Sequence, residues 1–141
     1  MSCSKNYVAN ITTTLAAGSV ASPFLLQVNI SQKLCKPACV DSIPVFDPKF
    51  SLVGYSLVGP GSYVATIRVE GTISYVPCDG SVCCTKSQVV SQEFTFPFAS
   101  ATAPTTVTIA QGVSVNSIAQ SGCQTCSRDF VSETPLTLTV A

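Results

Sequence analysis

The sequence predicts an all-β protein: an antiparallel β-sandwich, jelly-roll-like or immunoglobulin-like, preceded by a short N-terminal arm. Three observations predict it. Apolar and polar residues alternate with a period of two through most of the 141 residues, which is the pattern of strands that bury one face. Val, Thr, Ile and Ser dominate, and these residues suit a pleated, half-buried surface. Pro or Gly interrupts the pattern every 8–15 residues, and no window carries a helical stripe. Seven to nine strands result, without an internal repeat or a linker.

Each element follows from its own residues. Residues 1–6 are polar and read as an arm; residues 7–141 form one domain. Residues around Asn10-Ile-Thr12 read as strand. Residues 24–31 alternate as Phe24, Leu26, Val28 and Ile30. Residues 35–50, with their Pro, Asp and Cys, read as a loop, and so do residues 77–87. The stretch "GPGS" at 59–62 reads as a turn between strands. In "SYVATIRVEGTISYV" the inward set is Tyr63, Ala65, Ile67, Val69, Ile73 and Tyr75, and Gly71 marks a bulge or bend. In "VVSQEFTFPF" Val90, Phe94, Phe96 and Phe98 face in, Ser91, Glu93 and Thr95 face out, and Pro97 confines pairing to an edge or a strand end. Residues 105–110 and 113–119 form two strands joined by a tight turn at Gln111-Gly112. The last strand alternates Leu136, Leu138 and Val140 against Thr137 and Thr139.

Composition narrows the function. Seven basic and seven acidic residues give a net charge of zero. There is no basic stripe to neutralise phosphates, so nucleic acid is not an expected partner. Only 10% of residues are charged, against about 25% in ordinary globular chains. A Ser/Thr/Gln/Ala surface with so little charge suits packing against copies of itself. No stretch approaches 18 apolar residues, so no membrane insertion is expected.

Chemistry at a catalytic centre is not expected either. The chain has no histidine, which removes Ser-His-Asp and Cys-His arrangements. Its carboxylates are scattered: Asp41, Asp47 and Asp79 read as turn residues. No Gly-rich phosphate loop opens a helix. Tyr and Phe sit among apolar residues as core, not as a stacking platform for bases. The reading is therefore no enzyme and no cofactor. Asn10-Ile-Thr12 and Asn29-Ile-Ser31 match the glycosylation sequon, both within predicted strands.

The eight cysteines carry most of the remaining information. They are Cys3, Cys35, Cys39, Cys78, Cys83, Cys84, Cys123 and Cys126. Cys123 and Cys126 have a zinc spacing, but the other clusters do not match it and no histidine is available, so no metal is expected. Disulfides remain, and they persist mainly outside the cytosol. Yet "MSCSKNYVAN" is not the start of a signal peptide. An extracellular destination reached without a recognisable signal follows, on a spore or cell surface or in a virion, unless a leader has already been removed.

Cys83 and Cys84 are adjacent and seldom bond to each other, because the small ring strains the peptide between them. Neighbouring side chains in extended chain point opposite ways. One of the two is then expected to staple the domain, and the other to face a partner. Cys3, on the arm, has no obvious internal partner. Cys3, Cys83 and Cys84 are therefore the interchain candidates, and Cys35, Cys39, Cys78, Cys123 and Cys126 the intrachain ones. Four intrachain bonds in a monomer remain the alternative that an even count permits.

These features together resemble the subunits of bacterial endospore appendages: a low-charge Thr/Ser/Val-rich sandwich, a short arm bearing Cys3, and the Cys83-Cys84 pair. That resemblance implies a jelly-roll subunit stacked into fibres, with Cys3 in the connector role and Cys83 or Cys84 receiving it. A shorter likeness covers about residues 53–110, where "YVATIRVEGTISYV" followed by "VVSQEFTFPF" is similar to the β-domain of some sporulation and spore-coat proteins. The expected function is a self-assembling, disulfide-cross-linked structural subunit whose partner is itself. The alternative is a monomeric binding module, such as an adhesin or a virion decoration protein, directed at an unknown surface or host ligand.

Overall fold

The computed structural model describes residues 8–18, 21–39, 43–77, 86–119 and 126–141; at Lys36, Cys39, Lys86, Cys126 and Ser127 the backbone alone is described. The described residues contain nine strands and no helix: β1 (Asn10–Leu15), β2 (Phe24–Cys39), β3 (Val45–Phe46), β4 (Lys49–Gly59), β5 (Ser62–Tyr75), β6 (Lys86–Ala99), β7 (Val107–Gln111), β8 (Val115–Ile118) and β9 (Cys126–Val140). All pairings are antiparallel, and two sheets pack as a β-sandwich. In the first sheet β1 pairs with β2, β2 with β9, and β7 and β8 lie end to end along the far edge of β9. In the second, β5 is central, with β6 on one side and β4 and β3 end to end on the other.

The alternating residues decide which face is buried. Phe24, Leu26, Val28 and Ile30 of β2, Ala65, Ile67, Val69 and Ile73 of β5, and Leu136 and Leu138 of β9 are all buried. Ser91, Glu93 and Thr95 of β6 point outward, as their parity predicts. Aromatic rings fill the space between the sheets. Phe46 and Phe130 meet edge to face at 5.6 Å, Phe24 meets Phe96 at 5.9 Å, and Tyr63 stacks on Phe98 at 5.5 Å. These are the separations at which ring quadrupoles attract. The "GPGS" turn is the β4–β5 hairpin; Gly61 has φ +69°, a conformation that costs glycine little.

Three expectations need correction. Residues 35–50 are not one loop. β2 runs on to Cys39, β3 forms at Val45–Phe46, and β4 begins at Lys49. The reason is pairing: β9 supplies partners for β2 as far as Cys39, and an irregularity between Lys33 and Ala38 absorbs the Lys36-Pro37 step, where Pro37 has no N–H to give. Gln111-Gly112 is not a hairpin turn. β7 and β8 continue one another along β9, and the short break lets Gly112 N–H donate to the Pro135 carbonyl at 2.8 Å. Nor is Gly71 a bulge. It stays in register opposite Val90. A Cβ there would come within 2.6 Å of Phe46 Cε1 and 3.1 Å of Pro48 Cα, so glycine is needed where the chain crosses from β3 to β4. The bulges lie instead in β4, between Leu52 and Gly54 and between Leu57 and Gly59.

Glutamine side chains close both open sides of the sandwich. Gln92 of β6 accepts from Ala9 N–H at 2.6 Å and donates to the Ala9 carbonyl at 2.9 Å. Gln88 accepts from Cys35 N–H at 3.1 Å and donates to the Lys33 carbonyl at 2.9 Å. On the opposite side Gln111 of β7 accepts from Phe50 N–H at 2.9 Å and donates to the Pro48 carbonyl at 2.8 Å. Each amide uses one donor and one acceptor here, as a backbone peptide would, and so satisfies edge groups that the backbone of the facing sheet cannot reach. Asn116 adds a bond to the Phe46 carbonyl at 3.0 Å while accepting from Ser132 Oγ at 2.8 Å.

Gln92→Ala is expected to destabilise the fold by about 1–3 kcal/mol, because it orphans both backbone groups of the buried Ala9. The exchange rate of the Ala9 amide should rise with it. Glu93→Ala, one residue along on the outer face, should stay within about 0.5 kcal/mol. Equal losses from the two substitutions, measured by urea unfolding, would overturn this account of Gln92.

Candidate cross-linking site

The strand ends bring the cysteine-bearing segments to one end of the sandwich. β2 finishes there at Cys39, whose backbone is paired with that of Cys126 at the start of β9. Ala38 forms an isolated bridge with Pro77, which joins the two sheets by backbone at this end. Tyr75 at the end of β5 is paired with Lys86 at the start of β6. Ala119, after β8, donates its N–H to the Asp129 carbonyl at 2.8 Å. Cys39, Pro77, Lys86, Ala119 and Cys126 therefore bound the segments 40–42, 78–85 and 120–125 at a common end.

Cys35, half-buried on β2, is disulfide-bonded. Cys39 and Cys126 lie opposite each other in backbone register. Cys3, Cys78, Cys83, Cys84 and Cys123 lie outside the described residues, and so does the arm, residues 1–6. The expectations placed on Asp41 and Asp79 fall outside them too, whereas Asp47 sits not in a turn but in the short break between β3 and β4, which follow one another along β5.

The framework around this end is held by polar contacts. Lys33 pairs with Asp129 directly across β2 and β9. Arg128 Nε donates to the Leu34 carbonyl at 2.7 Å, inside the irregular part of β2. Gln88 holds Lys33 and Cys35 from the other sheet.

Among the described residues, no group of three or more His, Cys, Asp or Glu side chains converges to hold a metal ion. An open groove on the outer face of the second sheet, lined by Asp47, Lys49, Glu70, Gly71, Thr72 and Val89 among others, mixes both signs of charge. Its Glu70 is engaged by Arg68 at 2.8 Å. Both sequons lie in strands, Asn10 at the start of β1 and Asn29 within β2.

The sequence signal for the glutamine clamps was weak. Gln88, Gln92 and Gln111 stand at inward-facing strand positions, where an uncharged amide is the only cue. Among the described residues no helix is long and apolar enough to cross a membrane. No family model, curated protein or solved structure matches the chain.

Proposed function

We propose that this chain is a structural subunit, a β-sandwich that assembles with copies of itself and is fixed by disulfides between chains. The observation that supports it best is a matter of parity. Cys35, Cys39 and Cys126 lie on β2 and β9 toward one end of the sandwich, and the segments that carry the other four, Cys78, Cys83, Cys84 and Cys123, leave and re-enter the described strands at that end, which makes seven of the eight. Pairing within that end leaves one cysteine over, and Cys3 on the arm is the one remaining partner in the sequence. The charge-poor composition suits a subunit whose surface is covered by its neighbours. In this reading the product is a cross-linked fibre or coat on a spore or cell surface, as the likeness to endospore appendage subunits implies. The protein is not an enzyme and takes no cofactor.

A second reading rests on the reach of the arm. Cys3 is six residues ahead of Ala9, at most about 20–22 Å of extended chain. That is comparable with the length of strand between Ala9 and the cysteine-bearing end, so Cys3 of the same chain closes the count in a monomeric binding module. Gel electrophoresis with and without reductant separates the two. Material purified with free thiols blocked should run as a ladder that collapses to one monomer band on reduction. A monomer band in both lanes supports the binding module and rules out covalent assembly.

A further inference from the structure

Cys39 and Cys126 oppose each other where the central strand pair of the first sheet is weakest. From Phe24 opposite Leu138 to Lys33 opposite Asp129, β2 and β9 are paired without interruption. The four residues from Leu34 to Pro37 of β2 then stand against the single Arg128 of β9. Pairing resumes for two steps only, Ala38 with Ser127 and Cys39 with Cys126. A ladder of two pairs beyond such an irregularity has few backbone bonds of its own and opens easily. Yet this short ladder also carries the bridge from Ala38 to Pro77, which links the two sheets by backbone at this end. A junction that three segments share needs a further restraint.

Direct opposition on antiparallel strands is a placement that a disulfide can use. Residues in that relation share a face of the sheet, with Cα atoms about 4.5 or 5.5 Å apart according to the hydrogen-bonding of the pair. Both values fall inside the Cα separation that a disulfide spans, about 4.4–6.8 Å. Their Cβ atoms, about 4.5–5.5 Å apart, are within about 1 Å of bridging distance. Among the register pairs of the described strands, this is the one place where cysteine meets cysteine.

We propose that Cys39 and Cys126 of one chain form a cross-strand disulfide that locks the end of β2 to the start of β9. Its formation oxidises two thiols. The two electrons and two protons pass to a low-molecular-weight disulfide, which leaves as two thiols. The bond takes Cys126 out of the zinc-like spacing with Cys123. Cys35, itself disulfide-bonded, then takes its partner from the cysteines outside the described residues. One consequence rests on the self-assembly reading above: the thiol that receives Cys3 of a neighbouring chain is one of Cys78, Cys83, Cys84 and Cys123. These lie in the segments 78–85 and 120–125, which are then mounted on a covalently fixed end.

The test maps disulfides in the native full-length chain. Free thiols are blocked, the protein is digested with pepsin in acid, where thiolate exchange stops, and linked peptides are read by mass spectrometry. A peptide holding Cys39 joined to one holding Cys126 is expected from monomer and from assembled bands alike. Either cysteine blocked as a free thiol, or joined to Cys35 or to any other cysteine, would overturn the pairing. A link from Cys39 to Cys126 found only in assembled bands would overturn it too, because the bond would then join two chains. Thiol counts on denatured, unreduced monomer give a second reading that does not depend on how well a variant folds. Cys39→Ser and Cys126→Ser should each expose one more thiol per chain than wild type, and the double variant no more than wild type. A double variant that exposes two more would sink the proposal. The two readings fail separately. A different pairing in material that still forms a reducible ladder leaves linkage between chains standing, whereas a link from Cys39 to Cys126 in a chain that forms no ladder upholds this bond and overturns self-assembly by disulfides.

Discussion

Phe130→Ala is expected to cost about 3–5 kcal/mol, the range for truncating a large aromatic side chain in a packed core. Phe130 is fully buried on β9 and meets Phe46 of β3 edge to face at 5.6 Å, so its ring ties the second sheet to the first. The cavity left behind would lie between two sheets whose backbones are already fixed by pairing, and collapse would be limited. Nearby, Asn116 and Ser132 join β8, β9 and the Phe46 carbonyl, and this polar cluster would lose the packing that shields it. Phe130→Leu should recover most of the loss, because it restores most of the buried volume. Urea unfolding followed by fluorescence and circular dichroism gives the number. A loss below about 1 kcal/mol would mean that the sheets are held together elsewhere and that the aromatic contact contributes little.

Cys3→Ser is expected to abolish covalent linkage between chains while leaving the stability of the sandwich within about 0.5 kcal/mol of wild type. Deleting residues 1–6 should act in the same way, since the arm adds no alternating apolar segment to the core. Of Cys83 and Cys84, changing one should abolish linkage, and changing the other should lower monomer stability by roughly 2–5 kcal/mol if it closes an internal loop. Non-reducing peptide mapping decides the mechanism. A Cys3 peptide joined to residues 77–87 in assembled protein, and absent from monomer, is the expected result. Cys3 found free, or bonded within its own chain in intact assemblies, would sink it even if the protein proved fibrous.

The fold class was legible because β structure has a short and strict period. Phe24, Leu26, Val28 and Ile30, or Leu136 and Leu138, announce their buried face within eight residues, and the structure buries every one of them. The same alternation placed Phe94, Phe96 and Phe98 inward on β6 and confined Pro97 to an edge strand. The candidate site was legible only as an inventory of thiols. The sequence showed that Cys83 and Cys84 could not easily bond to each other, but not which chain segments lie beside them.

What the sequence by itself determined was local: strand parity, the turn at "GPGS", the poverty of charge and the excess of cysteine. What only the tertiary structure decided was which distant segments meet. Residues 35–39 read as loop because their Pro, Lys and Cys carry no alternation, yet β9 extends β2 through them, with Cys39 opposite Cys126 and Ala38 bridged to Pro77. Gln111-Gly112 has the residues of a turn, yet β9 offers one continuous edge, and two short strands in line satisfy more backbone groups there than a hairpin would. Gly71 could be a bulge in isolation; the ring of Phe46 makes it a point of close approach. Gln88, Gln92 and Gln111 look like misplaced polar residues until the facing strand edges supply the donors and acceptors they pair with. The reason is common to all four. A strand's parity is written in its own side chains, whereas its neighbours are chosen by backbone groups that every residue carries alike, so pairing across the sheet leaves little trace in the sequence.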